Sequence, residues 1–208
     1  MKEENKKSYD VELEYKMWVT KGARFNANKR YLNQDKLAAK AIGYLTAYVL
    51  IINLLSITPV IKSYVSFPTD ILSVITIGLS ILILVFSQIE ASGDYKIKGE
   101  KMHASAREIS KIYNQLEMVL YGSEDESTKK EHYKALTECY NSVLDKYDNH
   151  DRVDFLLFKA NNAAFFKLNL WTVFKFKTTY YFHTSFKYHL LIFFPVIMIF
   201  LLYLRKNG

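Results

Sequence analysis

Charge is missing from two long stretches of this chain. Ala41–Ile61 runs for 21 residues without a charged side chain, and Ile71–Ile89 for 19. As helices they cover roughly 28–32 Å each, close to the ~30 Å hydrocarbon core of a bilayer. Nine residues separate them, a turn carrying Lys62 and Asp70 with Pro59 and Pro68 at its edges. Two such runs in a soluble protein would need an unusually large core to hide in. The pattern predicts a transmembrane helical hairpin, with spans at about 41–61 and 71–89.

The flanks follow a helical period of their own. Val11, Trp18, Phe25 and Leu32 recur every seven residues, beside Leu13, Tyr15 and Tyr31. This predicts an amphipathic helix over 10–36 that runs into the first span, its polar face carrying Lys16, Lys21, Arg24, Lys29 and Arg30. That face is expected in water or near lipid headgroups. Beyond Glu90, Tyr95, Met102, Ile109 and Leu116 keep the seven-residue period, supported by Ile112 and Val119. One long helix is expected to leave the membrane and end near Tyr121, despite Gly93 and Gly99. A polar loop, Ser123–Lys130, separates it from a helix over about 130–147, whose apolar face is Tyr133, Leu136, Tyr140, Val143 and Tyr147.

From Ala163 the composition changes. Between Phe165 and Tyr203 lie 14 of the chain's 32 aromatic residues, mixed with lysines. Trp171, Lys175, Lys177, Lys187 and Arg205 suit a membrane–water interface, where amphipathic side chains anchor. The apolar run Leu190–Leu204 contains Pro195 and covers only about 22 Å as a helix. It is expected as a short third membrane segment, with a re-entrant course as the alternative. The fold class is thus an all-α membrane protein. Residues 1–160 form a hairpin unit with long cytoplasmic helices, and 161–208 an aromatic, basic, interfacial tail.

Net charge is +7, and beside spanning segments this reads as cytoplasmic bias and attraction to anionic lipid. Direct nucleic-acid binding is not expected. Lys21, Arg24, Lys29, Arg30, Lys36 and Lys40 precede the first span, and Lys96, Lys98, Lys101 and Arg107 follow the second. The turn holds only Lys62. Both flanks, including 90–187, are therefore expected in the cytoplasm of a bacterial inner membrane, and the 62–70 turn outside. No cleavable signal peptide is expected, since the first 40 residues have no short apolar core.

Candidate chemistry is sparse. Thr46 and Asn53 share one face of the first span; Ser73, Thr76, Ser80 and Ser87 share a narrow sector of the second. Small hydroxyl residues hold helices together at about 0.6–2 kcal/mol per contact; alternatively the same residues line a path for water. No acidic or basic residue lies inside either span, which argues against a pump with a buried ion site. Cys139 is the only cysteine, so no internal disulfide is possible, and it is expected as a packed small residue. Asp148, His150 and Asp151 could ligate a metal or act as an acid–base pair. The same residues suit a break between helices, with Asp151 capping the next one. The turn is preferred. No phosphate loop, nucleophile elbow or zinc motif occurs, so neither a cofactor nor an enzyme is expected.

The run W-x-T-K-x-A-R-x-N-A-x-K-R from Trp18 to Arg30, Leu37, the hairpin and the helical exit around Tyr95–Leu116 together resemble the SLATT domain. Those are bacterial two-span effectors associated with nucleotide-signal synthases, nucleotide sensors or reverse transcriptases in conflict systems. The resemblance covers about residues 8–160, and the aromatic tail departs from a simple two-span pattern. It implies an effector that forms a pore or disrupts the membrane on an infection signal, ending growth of the infected cell; a homo-oligomer is expected because a lone hairpin cannot enclose a pore. A different class of function remains open: a membrane-anchored scaffold whose cytoplasmic helices bind a nucleotide or a partner protein.

Overall fold

The structure is a computed structural model that describes residues 9–57, 69–123 and 125–207, with side chains over 11–55, 73–123 and 125–197. The expected 62–70 turn lies outside the described residues, apart from its last two positions, which begin a helix. Every regular element described is a helix: α1 Tyr9–Ile57, α2 Thr69–Ala91, α3 Tyr95–Tyr121, α4 Glu126–Lys146, α5 Arg152–Asn161, α6 Leu170–Thr184 and α7 Phe186–Asn207.

No proline interrupts the chain before Pro59, and α1 runs unbroken for 49 residues, about 73 Å. It takes in both the amphipathic stretch and the first span. α2 has 23 residues, enough for about 34 Å. The expected continuation of the second span into one long helix is not observed. α2 stops at Ala91, and Ser92–Asp94 intervene before Tyr95. Asp94 takes the left-handed conformation (φ 48°), open to Asp and Asn at a helix end. Ser92 Oγ donates to the Ile89 carbonyl at 2.7 Å, and the Gly93 N–H to that of Glu90 at 3.1 Å. These bonds terminate the helix.

The described contacts fall into two units: 1–32 with 96–183, and 33–95 with 184–208. In the first, Leu13 and Met17 of α1 pack with Ile109, Ile112, Leu116 and Val119 of α3 and with Leu136, Tyr140 and Val143 of α4. The heptad expected for α3 and the face expected for α4 are the ones that are buried. Each large aliphatic side chain here contributes about 1.5–3 kcal/mol of burial. On α1 the buried stripe is a different one. Val11 is 47% exposed, whereas Leu13, Met17, Ala23 and Ala27 are buried. A helix surrounded by partners buries more than one seven-residue row, and small residues occupy its closest approach. At Gly22 a side chain would collide with the Phe158 ring of α5, so only glycine lets the two helices meet there.

α4 starts earlier than expected, at Glu126 within the loop predicted over Ser123–Lys130. Asp125 caps it, accepting from the Ser127 and Thr128 amides at 3.2 Å each. The Ser127 and Thr128 hydroxyls donate to the same carboxylate, and these bonds, followed by that of the Thr128 amide, hold it well below the usual carboxylate range.

In the second unit Leu37, Ala38 and Ala41 of α1 surround Tyr188 and Ile192 of α7, with Phe86 of α2 against them. The Tyr48 hydroxyl donates to the Ile192 carbonyl at 3.0 Å. Much of the apolar surface stays outside, including Leu50 and Leu54 on α1 and Val74, Ile77, Ile81 and Leu84 on α2. Two helical stretches, Val11–Leu55 and Ser73–Tyr121, contain windows long and apolar enough to cross a membrane; the apolar stretch of α7, Phe186–Ile197, is shorter.

Candidate functional site

Four of the six polar residues singled out on α1 and α2 satisfy their hydroxyls within their own helix. Thr46 Oγ1 donates to the Ile42 carbonyl at 2.8 Å, Thr76 Oγ1 to Ser73 at 3.0 Å, Ser80 Oγ to Thr76 at 2.8 Å and Ser87 Oγ to Ile83 at 2.7 Å. A hydroxyl bonded back to its own helix can sit in an apolar medium with no other partner. Thr76 is buried against the rest of its unit and Ser87 is half-buried. Thr46, Asn53, Ser73 and Ser80 face outward.

The strongest polar feature of this unit is one the sequence pattern did not single out. Glu90 ends the apolar run of α2 and is only 7% exposed. Lys187 Nζ lies 2.7 Å from one of its oxygens, and the Tyr188 hydroxyl donates to the other at 2.6 Å. Tyr188 is fully buried. Lys187, expected as a lipid anchor, is thus the counter-ion of an internal carboxylate. The Asn33 side-chain amide donates to Ser185 Oγ at 3.2 Å nearby in sequence. These bonds tie the start of α7 to both span helices.

The first unit carries a charged centre inside its helices. Arg24 and Arg30, expected on a solvated face, are 0% and 2% exposed. Arg30 Nε and Nη2 donate to the two oxygens of Asp154 at 2.9 and 3.0 Å, a bidentate pair. Asp151, half exposed, lies 2.7 Å from Nη2. Burial disfavours the Arg30 charge, but the bonds to Asp154 and its charge outweigh this and raise the guanidinium pKa above its usual value. Asp154 is itself fully buried. Its backbone carbonyl accepts from Asn26 at 3.2 Å, and its carboxylate accepts from the Asp151 amide at 3.1 Å. The start of α5 is therefore bolted to the middle of α1.

Arg24 is held differently. It donates to Ser105 Oγ of α3, while its Nε and Nη2 meet no partner among the described residues. Burial lowers its pKa, opposed by the phenols of Tyr140 and Tyr147. His150 Nδ1 is likewise buried without a partner among them. Burial lowers the His150 pKa; Asp154 and Asp151 oppose this and Arg24 adds to it.

Period counting placed Arg24 and Arg30 outside because charge usually marks the wet face. A signal was present. Arg24 stands seven residues after Met17, and Arg30 three after Ala27, both on the stripe that is buried. Asp154, 124 residues beyond Arg30, had no local pattern to announce it.

Asp148, His150 and Asp151 stand at the break between α4 and α5, with Asp151 capping α5. No group of three potential metal-ligating side chains occurs among the described residues. Cys139, expected as packed, is exposed: it lies on the α4 turn facing away from Leu136, Tyr140 and Val143. Trp171 is 73% exposed, and Lys175 and Lys177 are exposed on the same helix, α6. Arg205 belongs to the last part of α7, where side chains are not described.

No curated protein and no solved structure matches the chain. A family model does, over residues 6–202, and so across the aromatic tail as well as the hairpin. With that match, two helices apolar enough to cross a membrane and an all-α fold, the chain belongs to the SMODS and SLOG-associating 2TM effector domain family 5, a SLATT family.

Proposed function

We propose that this protein is the membrane effector of a bacterial antiphage system. On an infection signal it assembles in the inner membrane and forms a pore or otherwise depolarises the cell. The observation that carries this reading is the surface of the span helices. Outward-facing aliphatic side chains on α1 and α2 are interrupted by Thr46, Asn53, Ser73 and Ser80, a mixture suited to lipid and to other copies of the chain. A single hairpin cannot enclose a water path, so the active form is a homo-oligomer. In it, Asn53, Ser73, Ser80 and Ser87 contribute to the helix contacts or face the path, with Thr46 and Thr76 beside them.

The first 40 residues and 90–187 lie in the cytoplasm, and the turn between the spans lies outside. α6, with Leu170 90% exposed and Trp171 and Phe174 also outside, rests in the headgroup layer, where Lys175 and Lys177 meet lipid phosphate. α7 is a short third membrane segment beginning at Glu90's partner Lys187, with Arg205 at its far end. A nucleotide signal, or a partner sensor or synthase, is the natural trigger for members of such a family.

The test is expression of the chain in cells loaded with a potential-sensitive dye. Depolarisation on activation is expected. Asn53→Leu combined with Ser80→Leu is expected to abolish it and to alter the cross-linked oligomer pattern; unchanged toxicity and assembly would show that these residues play no such part.

A further inference from the structure

Between the start of α1, α3 and the segment after α5 the first unit holds a cavity of about 480 Å³, within the range of small-molecule sites. Its walls are aromatic. Tyr15 and Phe165 are nearly parallel, with centroids 6.2 Å apart and planes at 19°. Trp18 and Phe166 form a second near-parallel pair at 6.1 Å and 14°. Trp18 also meets Phe165 edge-on at 4.8 Å. Tyr15 and Phe165 line this space and stay accessible, 38% and 61% exposed, so a flat ring entering it meets aromatic surface on which to stack.

The polar groups on this cavity are acidic. Glu12 and Glu14 line it together with Tyr113. The Tyr113 hydroxyl donates to Glu14 Oε1 at 3.3 Å, which leaves further lone pairs on that carboxylate. Lys16 pairs with Glu12 at 2.7 Å, and Lys21 sits 3.7 Å over the Tyr113 ring; neither lysine lines the space.

We propose that this cavity binds a planar nitrogen heterocycle whose edge carries positive charge or N–H donors. The rings supply stacking faces, which are negative and attract a cationic ring. Glu14 supplies a charge-assisted acceptor for the edge. An anionic ring is repelled by Glu14, whereas the charge of Glu12 is matched by Lys16. This site is independent of the membrane reading, since its occupancy is read without any permeability measurement.

The chain has two tryptophans, so in a Trp171→Phe background the fluorescence of Trp18 reports the cavity directly. The full chain in lipid nanodiscs is titrated with 7-methylguanosine, guanosine and the anionic dye 1-anilinonaphthalene-8-sulfonate. Saturable quenching is expected, tightest for the cationic 7-methylguanosine. Glu14→Gln is expected to weaken it by about tenfold or more, and Phe165→Leu, at a ring already 61% exposed, by a similar factor with the helical circular dichroism unchanged. If Glu14→Gln fails to fold, Phe165→Leu alone decides. Quenching that does not saturate, an equal affinity in the Phe165 variant, or preference for the anionic dye would each overturn the proposal.

Discussion

The two units solve the problem of polar groups among helices in opposite ways. In the second, hydroxyls on the spans bond back to their own backbones and leave the helix surfaces apolar. Its one internal carboxylate among the described residues, Glu90, stands at the end of a span, where Lys187 is still 46% exposed. In the first, an ion pair is taken inside whole. Arg30 and Asp154 are both removed from water, and Arg24 is buried with a hydroxyl for company. A buried pair contributes little net stability, yet breaking it leaves a charge stranded, and such pairs fix one arrangement against others. The lesson is a division of labour. The helices of the first unit are registered by charges that fit one geometry, while α1 and α2 in the second unit leave apolar surface outside.

The largest effect should come from separating the buried pair. Asp154→Ala leaves the buried Arg30 to the half-exposed Asp151 and is expected to cost about 3 kcal/mol, measured by denaturant unfolding of the chain in nanodiscs followed by Tyr and Trp fluorescence. Asp154→Ala combined with Arg30→Met should recover part of that loss. Next is Gly22→Val, which drives a side chain into the Phe158 ring; about 1–3 kcal/mol is expected, read by the same unfolding curve. Glu90→Gln, in the other unit, keeps the shape but loses the charge-assisted bonds from Lys187 and Tyr188, about 1.5–3 kcal/mol. Protease digestion around α7 should then quicken while the fluorescence midpoint of the first unit's helices holds. A shared loss at both readouts would break the contrast between the units.

The smallest expected effect is a pH dependence. Burial lowers the His150 pKa from its ordinary 6.5, so the folded chain prefers the neutral ring. The unfolded chain takes up a proton first as pH falls, and the associated stability is present above about pH 6.5 and lost as pH drops through the lower folded value. Unfolding midpoints at about pH 7.5 and about pH 5.5 should differ less in His150→Gln than in the parent.

Local rules read well from the sequence where structure is local. Asp151 announced a helix start because a carboxylate there meets free amides, and the apolar faces of α3 and α4 announced themselves by period. The break at Ser92–Asp94 was hidden by a seven-residue count that carried across Gly93, although glycine beside Ser and Asp is a stop signal. Arg24, Arg30 and Asp154 were hidden for another reason. Their burial depends on partners 81 and 124 residues away, and period alone carries no such information. Cys139 lies on a turn of α4 that faces outward, which residue type alone does not reveal.

The central claim is that the span surfaces assemble into a conducting or depolarising form. The direct measurement is release of potassium from liposomes carrying the purified chain, with oligomers counted by cross-linking in the same samples. Release should rise steeply with protein density together with the higher oligomers, and fall away for Asn53→Leu with Ser80→Leu. Tight liposomes at every density, with the chain inserted and oligomeric, would contradict it.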